Sequence, residues 1–352
     1  MKKRLKILLL SFFILILFIT SGCNLPELLG DNYAADYNGL TVSFIDVGQG
    51  DATLIECGNE AMLIDAGLYS EKESLVSYIT RRGIRNLKYC VATHPHSDHI
   101  GAMDEVIYRY DVDTLVYPLC DDGSENMNYL FDACDERGVS YLNPNPMDTL
   151  TLGDATFTVL SPEPYAEYGN LNNNSIVLKM EYGNTNWLFM GDAEKEVEKE
   201  LLNQDINLSA DVLKCGHHGS STSSDVSFIN AVSPEVAVIS CGKNNDYGHP
   251  HRETLSTLNK REIEIYRTDQ LSSIIANSDG ETITFMSANE TLSTITAKSK
   301  TDCGFTGNLN RKVFHSKNCE AVTEMKENNK INFKTREDAV SKGYTPCKSC
   351  NP

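Results

Sequence analysis

Residues 93–101 read THPHSDHIG, which puts three of the chain's eight histidines and one aspartate within six positions. His94 and His96 alternate, so on an extended segment their imidazoles face the same side. Asp98 and His99 follow at the turn into the next element, within reach of a second point nearby. Imidazole nitrogens with a carboxylate suit Zn²⁺, Mn²⁺ or Fe²⁺, and the mixture suits a hydrolytic centre. A polar surface loop accounts for one histidine or a pair; four ligands in this order point to metal.

A second set of ligands lies at the C-terminus. His315-x3-Cys319 and Cys347-x2-Cys350 form two paired knuckles, the spacing of a tetrahedral Cys₃His zinc site. A pair of disulfides through Cys303, Cys319, Cys347 and Cys350 is the alternative. The segment has only about 50 residues, too few for a robust core without a staple.

The elements that must position these groups follow from periodicity and turns. TVSFIDV, ATLIEC and AMLIDAG read as consecutive strands separated by glycine-containing turns. Residues 71–82 are helix-like, and KYCVATH is a strand ending at the histidine cluster. SIVLKMEY and NWLFMG form a hairpin about Gly183-Asn184. ADVLKCG, EVAVISCG and EIEIYRT are further strands, and a last hairpin turns at Asp279-Gly280. Strands that meander first and alternate with helices later predict a layered α/β sandwich. The Ser/Thr-rich stretch 287–302 reads as a linker. Cys90, Cys215 and Cys241 lie in apolar strand-like runs, as small buried hydrophobes. Cys120 and Cys134 could pair as a disulfide.

The H-x-H-x-D-H motif after a strand resembles the signature of the metallo-β-lactamase fold superfamily, over about residues 40–287. FIDVGQGDA (44–52), LIDAG (63–67), GDAE (191–194), LKCGHHGSSTSS (213–224), YGHPH (247–251) and YRTDQ (266–270) are similar to the extracytoplasmic domain of ComEC-type competence DNA-uptake proteins. The resemblance implies an αββα sandwich with a centre for two divalent ions, zinc or manganese, at one edge of the paired sheets. His94, His96, Asp98, His99, Asp192 and His217 would be the ligands, with Asp192 bridging; Asp192 could also cap the helix that follows it. Asp65 would orient a cluster histidine. His218 would point toward substrate or a carboxylate, and Ser220 and Ser221 would offer donors to an anion. Asp98 would also orient the attacking hydroxide, and His249 would stabilise the transition state or protonate the leaving oxygen. Many members carry another histidine between the motif and the bridging aspartate. None occurs here between His99 and His217, and residues 172–175 (NNNS) stand in that interval. Residues 304–352 resemble the Ada-type metal-binding domain, which implies one structural zinc on His315, Cys319, Cys347 and Cys350.

The domain plan is therefore a signal peptide (1–22), a tether (23–38), the sandwich (39–287), a linker (288–303) and the zinc module (304–352). MKKRLKILLLSFFILILFITSGC has a basic start and an apolar run, and its TSGC resembles a lipobox. Lipidation of Cys23 would tether the protein to the extracytoplasmic face of the cell membrane. The chain carries a net charge of −18. Residues 24–300 account for −25 and residues 301–352 for +3, so the main body repels polyanions, although a cationic metal site would still accept a phosphate. Arg311, Lys312, Lys317 and Lys348 offer nucleic-acid contacts, or merely a solvated polar face. The expected function is a metal-dependent phosphodiesterase or nuclease acting on extracellular DNA. Hydrolysis of another ester (a choline phosphodiester, lactone or thioester) and non-catalytic DNA capture are the alternatives.

Overall fold

The computed structural model describes residues 39–120, 123–163, 168–204, 206–287, 290–297, 305–316, 319–333 and 336–350. The apolar N-terminal run, Cys23 and Lys317 lie outside them. Among the described residues no helix is long and apolar enough to cross a membrane.

The chain opens with β1 (Leu40–Phe44), β2 (Thr53–Cys57) and β3 (Glu60–Ile64), the antiparallel meander expected from the sequence. Helix α1 (Lys72–Arg81) carries the chain to β4 (Asn86–Val91), which pairs parallel to β3. A short helix α2 (Ser97–Ile100), then α3 (Met103–Arg109), β5 (Asp111–Val116), α4 (Glu125–Arg137) and β6 (Ser140–Leu142) complete this half. Helix α4 starts at Ser124, whose hydroxyl accepts from the Met127 N–H, and ends on Gly138 at φ 70°. The second half runs β7 (Thr149–Leu152), β8 (Ala155–Ser161), β9 (Val177–Tyr182), β10 (Thr185–Phe189), α5 (Lys195–Asn203), β11 (Val212–Lys214), α6 (Val226–Val232), β12 (Val236–Ile239), α7 (Arg252–Asn259) and β13 (Glu264–Arg267). A one-turn helix α8 (Thr268–Leu271) leads back to β14 (Ile274–Ser278), β15 (Thr282–Ser287) and β16 (Glu290–Thr296), which join the first sheet beside β1.

Two mixed sheets result, ordered β16-β15-β14-β1-β2-β3-β4-β5-β6 and β13-β12-β11-β10-β9-β8-β7. They face each other across a core that includes Phe44, Phe157, Trp187 and Phe285, each fully buried. A second apolar layer packs Val197, Leu201, Phe228 and Leu258 from α5, α6 and α7 onto the outer face of the second sheet. β12, VAVI, is buried on both faces, which explains an apolar run without alternation. Helices outside and sheets inside make the αββα sandwich.

The segment read as linker contains a strand. β16 pairs antiparallel with β15 and ends the sheet, and its alternating threonines suit a half-exposed edge. Cys120 and Cys134 are free thiols, and Cys90, Cys134, Cys215 and Cys241 are buried. The C-terminal residues form β17 (Phe305–Asn308), β18 (Val313–Ser316), a helical turn α9 (Glu320–Thr323), β19 (Lys330–Phe333), α10 (Arg336–Ser341) and β20 (Thr345–Pro346), with strand order β19-β17-β18-β20 around Phe314, Phe333 and Tyr344.

One glycine shows how tightly the entry loop packs. A Cβ on Gly50 would lie 2.5 Å from the Asp98 carbonyl oxygen and 3.3 Å from Gly67 Cα, both backbone atoms that cannot swing aside. Gly50→Ala should therefore push the H-x-H-x-D-H loop outward and cost about 1–3 kcal/mol, as overpacking does. The expected result is a lower unfolding midpoint together with reduced metal content by mass spectrometry.

Candidate metal centre and active-site cleft

Asp65 ends β3; Thr93 and His94 follow β4; α2 carries Asp98 and His99. Asp192 follows β10, His217 and His218 follow β11, and His249 lies beyond β12. Since β3 and β4 run parallel, as do β10, β11 and β12, these residues collect at the carboxyl ends of strands from both sheets. Gly191, at φ 52°, lets the Asp192 loop close on this edge, because a Cβ there would meet Ser175 Oγ and Thr93 Cβ at 3.0 Å.

Asp65 is buried at a left-handed φ of 57°. It accepts from the Thr93 N–H at 2.9 Å and the Thr93 hydroxyl at 2.8 Å, and it lies 2.7 Å from His99 Nδ1. Occupying Nδ1 turns His99 Nε2 toward Asp192 Oδ1, 3.2 Å away. His94 Nε2 lies 3.0 Å from His96 Nδ1 and 3.8 Å from Asp192 Oδ2. The Ser175 hydroxyl accepts from the Asp192 N–H at 2.9 Å, so the asparagine-rich stretch supports this carboxylate.

The two adjacent histidines part ways. Both have positive φ, 48° and 51°, which splays the side chains. His218 is the buried one: its Nδ1 lies 3.1 Å from the Ser240 carbonyl, and its Nε2 lies 3.2 Å from Asp98 Oδ2 and 3.6 Å from Asp192 Oδ2. The His217 side chain is 22% exposed, with Nδ1 3.0 Å from Glu194 Oε1 and Nε2 3.8 Å from Asp192 Oδ2. The geometry adds His218 to the buried groups around Asp192 and leaves His217, the expected ligand, as near to Asp192 Oδ2 as His94 is. His218 sits among the buried ligands, and His217 stands at the cleft wall.

The ligand atoms fall into two sets, each within 4.8 Å internally: His94, His96 and Asp192; and Asp51, His99, Asp192 and His218. Asp192 belongs to both. His99 Nε2, Asp192 Oδ1, His218 Nε2 and Asp51 Oδ1 are buried without a hydrogen-bond partner among the described residues. Such atoms each cost a few kcal/mol when orphaned. Their convergence is what a cation would relieve, so the residues fit a pair of divalent ions. Burial disfavours a charge on His99, but Asp192 and Asp65 outweigh it and hold that imidazole well above its usual range. Burial and the His99 charge press His94 well below the usual histidine range. Burial opposes the Asp192 charge, but His99, His218 and His94 outweigh it and hold that carboxyl well below its usual range.

Above these sets opens a cleft of about 510 Å³, lined by Gln49, Asp98, Asn172, His217, Tyr247 and His249 among others. Asn172 Oδ1 is buried without a partner, so the asparagine in the place of the missing histidine presents a lone pair. The His249 ring lies between those of Tyr247, at 5.7 Å, and His218, at 6.0 Å, and burial with the neighbouring imidazoles presses it down to about 4. Ser220 and Ser221 do not line the cleft. Ser220 is buried and accepts from the Thr222 hydroxyl, while the Ser221 N–H donates to His251 Nδ1, so both build the loop instead of offering donors to an anion. Asp192 does not cap α5 either; that position is Glu194.

The sequence reading missed two partners. Asp51, within FIDVGQGDA but given no role there, forms a buried ion pair with Lys214 at 2.8 Å. Glu194 lies 3.0 Å from His217 Nδ1; its place in GDAE, two residues after Asp192, was the available signal. A third acid, Glu198 on α5, accepts from the N–H groups of Ser224 and Asp225 and so pins the loop after His218. At the C-terminus His315, Cys319, Cys347 and Cys350 form a Cys₃His cluster. The Ser316 N–H points at Cys350 Sγ and the Ser349 N–H at Cys347 Sγ, both at 3.4 Å, as donors do in a structural zinc knuckle.

Fold and centre together define the class. Residues 45–243, more than half of the chain, match the metallo-beta-lactamase superfamily, and the chain belongs to it. Residues 295–352 match the metal binding domain of Ada. Among curated proteins the chain is 38% identical over 251 residues to ComE operon protein 3 of Bacillus subtilis, covering 66% of this chain and 32% of that protein. It is 30% identical over 258 residues to competence protein ComA of Neisseria gonorrhoeae, covering 69% and 32%. It is also 28% identical over 235 residues to recombination protein 2 of Haemophilus influenzae, covering 64% and 27%. The chain thus spans about a third of the length of these relatives.

Two outcomes follow from the supports of the site. Burial pushes the Glu198 carboxyl up to about 7 from 4.5, against the pull of its two N–H donors. A raised folded-state pKa favours the protonated form, so this contribution is full below pH 4.5 and is lost as pH rises through 7. Glu198→Gln should gain stability relative to wild type between pH 5 and 8, by up to about 3 kcal/mol, as chemical unfolding at the two pH values would show. Cys347→Ser should release one zinc per chain, counted by native mass spectrometry, and expose the module to proteolysis.

Proposed function

We propose that this protein is a membrane-tethered, extracytoplasmic phosphodiesterase whose substrate is DNA. One observation carries the reading: two buried ligand sets share Asp192 at the floor of an open cleft. His94, His96 and Asp192 would hold one divalent cation, and Asp98, His99, His218 and Asp192 the other, as zinc or manganese. Bound there, two such ions supply Lewis acidity toward a phosphoryl oxygen and an attacking water. The chain's own side chains do the rest. Asp65 holds His99 in the tautomer that leaves Nε2 free, and Glu194 does the same for His217. Asp98, a quarter exposed at the cleft, accepts a hydrogen bond from the water and aims it. His249, fixed between two rings, meets the leaving oxygen across the cleft mouth. A tether through Cys23 would place this chemistry outside the cytoplasm. Relatives whose names refer to competence and recombination favour DNA over the other esters.

The test uses the detergent-solubilised full chain with Zn²⁺ or Mn²⁺, assayed on bis(p-nitrophenyl) phosphate and plasmid DNA. Both should be cleaved. Asp192→Asn should bind less metal and lose roughly 10²–10³-fold or more in turnover. His218→Ala should lose more metal than His217→Ala, whose loss in turnover should be nearer tenfold, about the effect of an orienting group. Binding of DNA with no turnover of either substrate would sink the enzyme reading in favour of capture.

A further inference from the structure

The zinc module is seated on the hydrolase domain, and the seam is chemically distinctive. Asn328 of the module donates to the carbonyls of Leu202 and Gln204, and Leu309 packs onto the apolar layer outside the second sheet. Beside these contacts lies a cleft of about 370 Å³, lined from both domains. Its charged residues are Lys260, Arg261 and Glu262 from the end of α7, and Lys312 and Lys342 from the module. Four cations to one anion is a reversal in a chain of net charge −18.

Arg261 is the clearest sign of a site. Its Nε donates to Asn230 Oδ1 and its Nη1 to the Thr257 carbonyl at the end of α7, but no ion pair joins it to a carboxylate among the described residues. It is half-buried, and burial presses its pKa down, with the charge of Asp225 pulling against that. Lys312 has a left-handed φ of 52° and places Nζ 3.0 Å from the Tyr344 hydroxyl and 4.5 Å from the ring centre. Lys260 and Lys342 are exposed at the rim, Lys342 with its Nζ 3.3 Å from Asp338 Oδ1.

We propose that this seam is a second binding site, one that takes the sugar-phosphate backbone of a nucleic-acid strand. Forked guanidinium and point-charge ammonium groups around a narrow trough suit successive phosphates. The site is separate from the metal centre. It lies at the amino ends of β12 and β13, next to Pro234 and Ile263, whereas the centre lies past their carboxyl ends. Four strand residues span roughly 13 Å. A strand held at both places must therefore bridge at least about that distance. The inference rests on the nucleic-acid reading above, and it adds a hold on the polymer that an acidic catalytic domain does not itself provide.

Binding of a labelled 20-nucleotide single strand, followed by fluorescence anisotropy across salt concentrations without added metal, tests it on the full chain. The double variant Lys260→Glu/Lys342→Glu, at exposed positions, should weaken binding roughly tenfold or more and flatten the slope of log K against log salt by about 1.4 or more. Arg261→Gln, which keeps the stem and a donor, should weaken it as well. Unfolding midpoint and zinc content at wild-type values certify that both variants are folded. Wild-type affinity and slope in both variants would overturn the proposal. So would inorganic polyphosphate competing as well as the oligonucleotide at equal charge, since the trough would then be a general polyanion site. Failure of wild type to hydrolyse bis(p-nitrophenyl) phosphate would count against the hydrolase reading alone, because the oligonucleotide comparison involves no turnover.

Discussion

The buried carboxylate of Asp65 is the constraint on which the metal centre depends. It stands at the end of β3 in a conformation that side chains other than glycine rarely adopt, and it must be satisfied there without water. Thr93 supplies two donors and His99 the third contact. These bonds tie the end of β3 to the end of β4 and to α2, so one side chain sets the separation between His94 and His99. The Ala66 N–H donates to the His99 carbonyl at 2.6 Å, which fixes the backbone of the same loop. Burial pushes the Asp65 carboxyl up, with His99 pulling against it. A rigid imidazole follows, with its second nitrogen committed to the centre.

The other half of the site comes from the opposite sheet, and a second buried charge joins the two. Lys214 on β11 reaches Asp51 on the loop between β1 and β2. Burial disfavours the ammonium, but Asp51 outweighs that and holds its pKa up. Removing either partner would leave an uncompensated charge in the interior, which is far more costly than exchanging the pair for apolar residues. The pair also orders the loop: the Asp51 N–H donates to the Asp98 carbonyl, and the Asp51 carbonyl accepts from Gly67. Asp51 thus links the lysine of one sheet to the metal-binding loop of the other. One Asp51 oxygen is taken by Lys214, and the other, buried without a partner, belongs to the second ligand set.

Much of this was legible in the sequence where a residue type has one physical use. Apolar runs between glycine turns gave the strands, Gly183-Asn184 gave its hairpin, and H-x-H-x-D-H located the centre. What stayed hidden depended on backbone conformation. Adjacency showed that His217 and His218 must diverge, but only their left-handed φ values decide which turns inward. The resemblance implied anion donors at Ser220 and Ser221, yet the turn engages Ser220 with Thr222 and the Ser221 N–H with His251. β16 looked like linker because an edge strand needs no apolar run; its threonines gain their partners only once β15 is beside it. Asp51 and Lys214 lie 163 positions apart, and nothing local in either stretch announces the other.

If the substrate is DNA, as proposed, electrostatics reconciles an acidic body with a polyanion. At physiological salt the field of scattered surface carboxylates fades within roughly 8 Å, so net charge governs approach more than contact. Contact is decided by the few places where positive charge is held against the background. One would be the candidate metal centre, where the clustered carboxylates and imidazoles would hold cations. The other is the seam, where Arg261 is fixed by Asn230 and a helix-end carbonyl. A strand repelled elsewhere would be confined to the path between them, so the acidic surface narrows the routes to the cleft while leaving the hold on the strand to those two places. The Ada-type module then contributes position as well as charge, because its seat on α5 and α7 creates the second place.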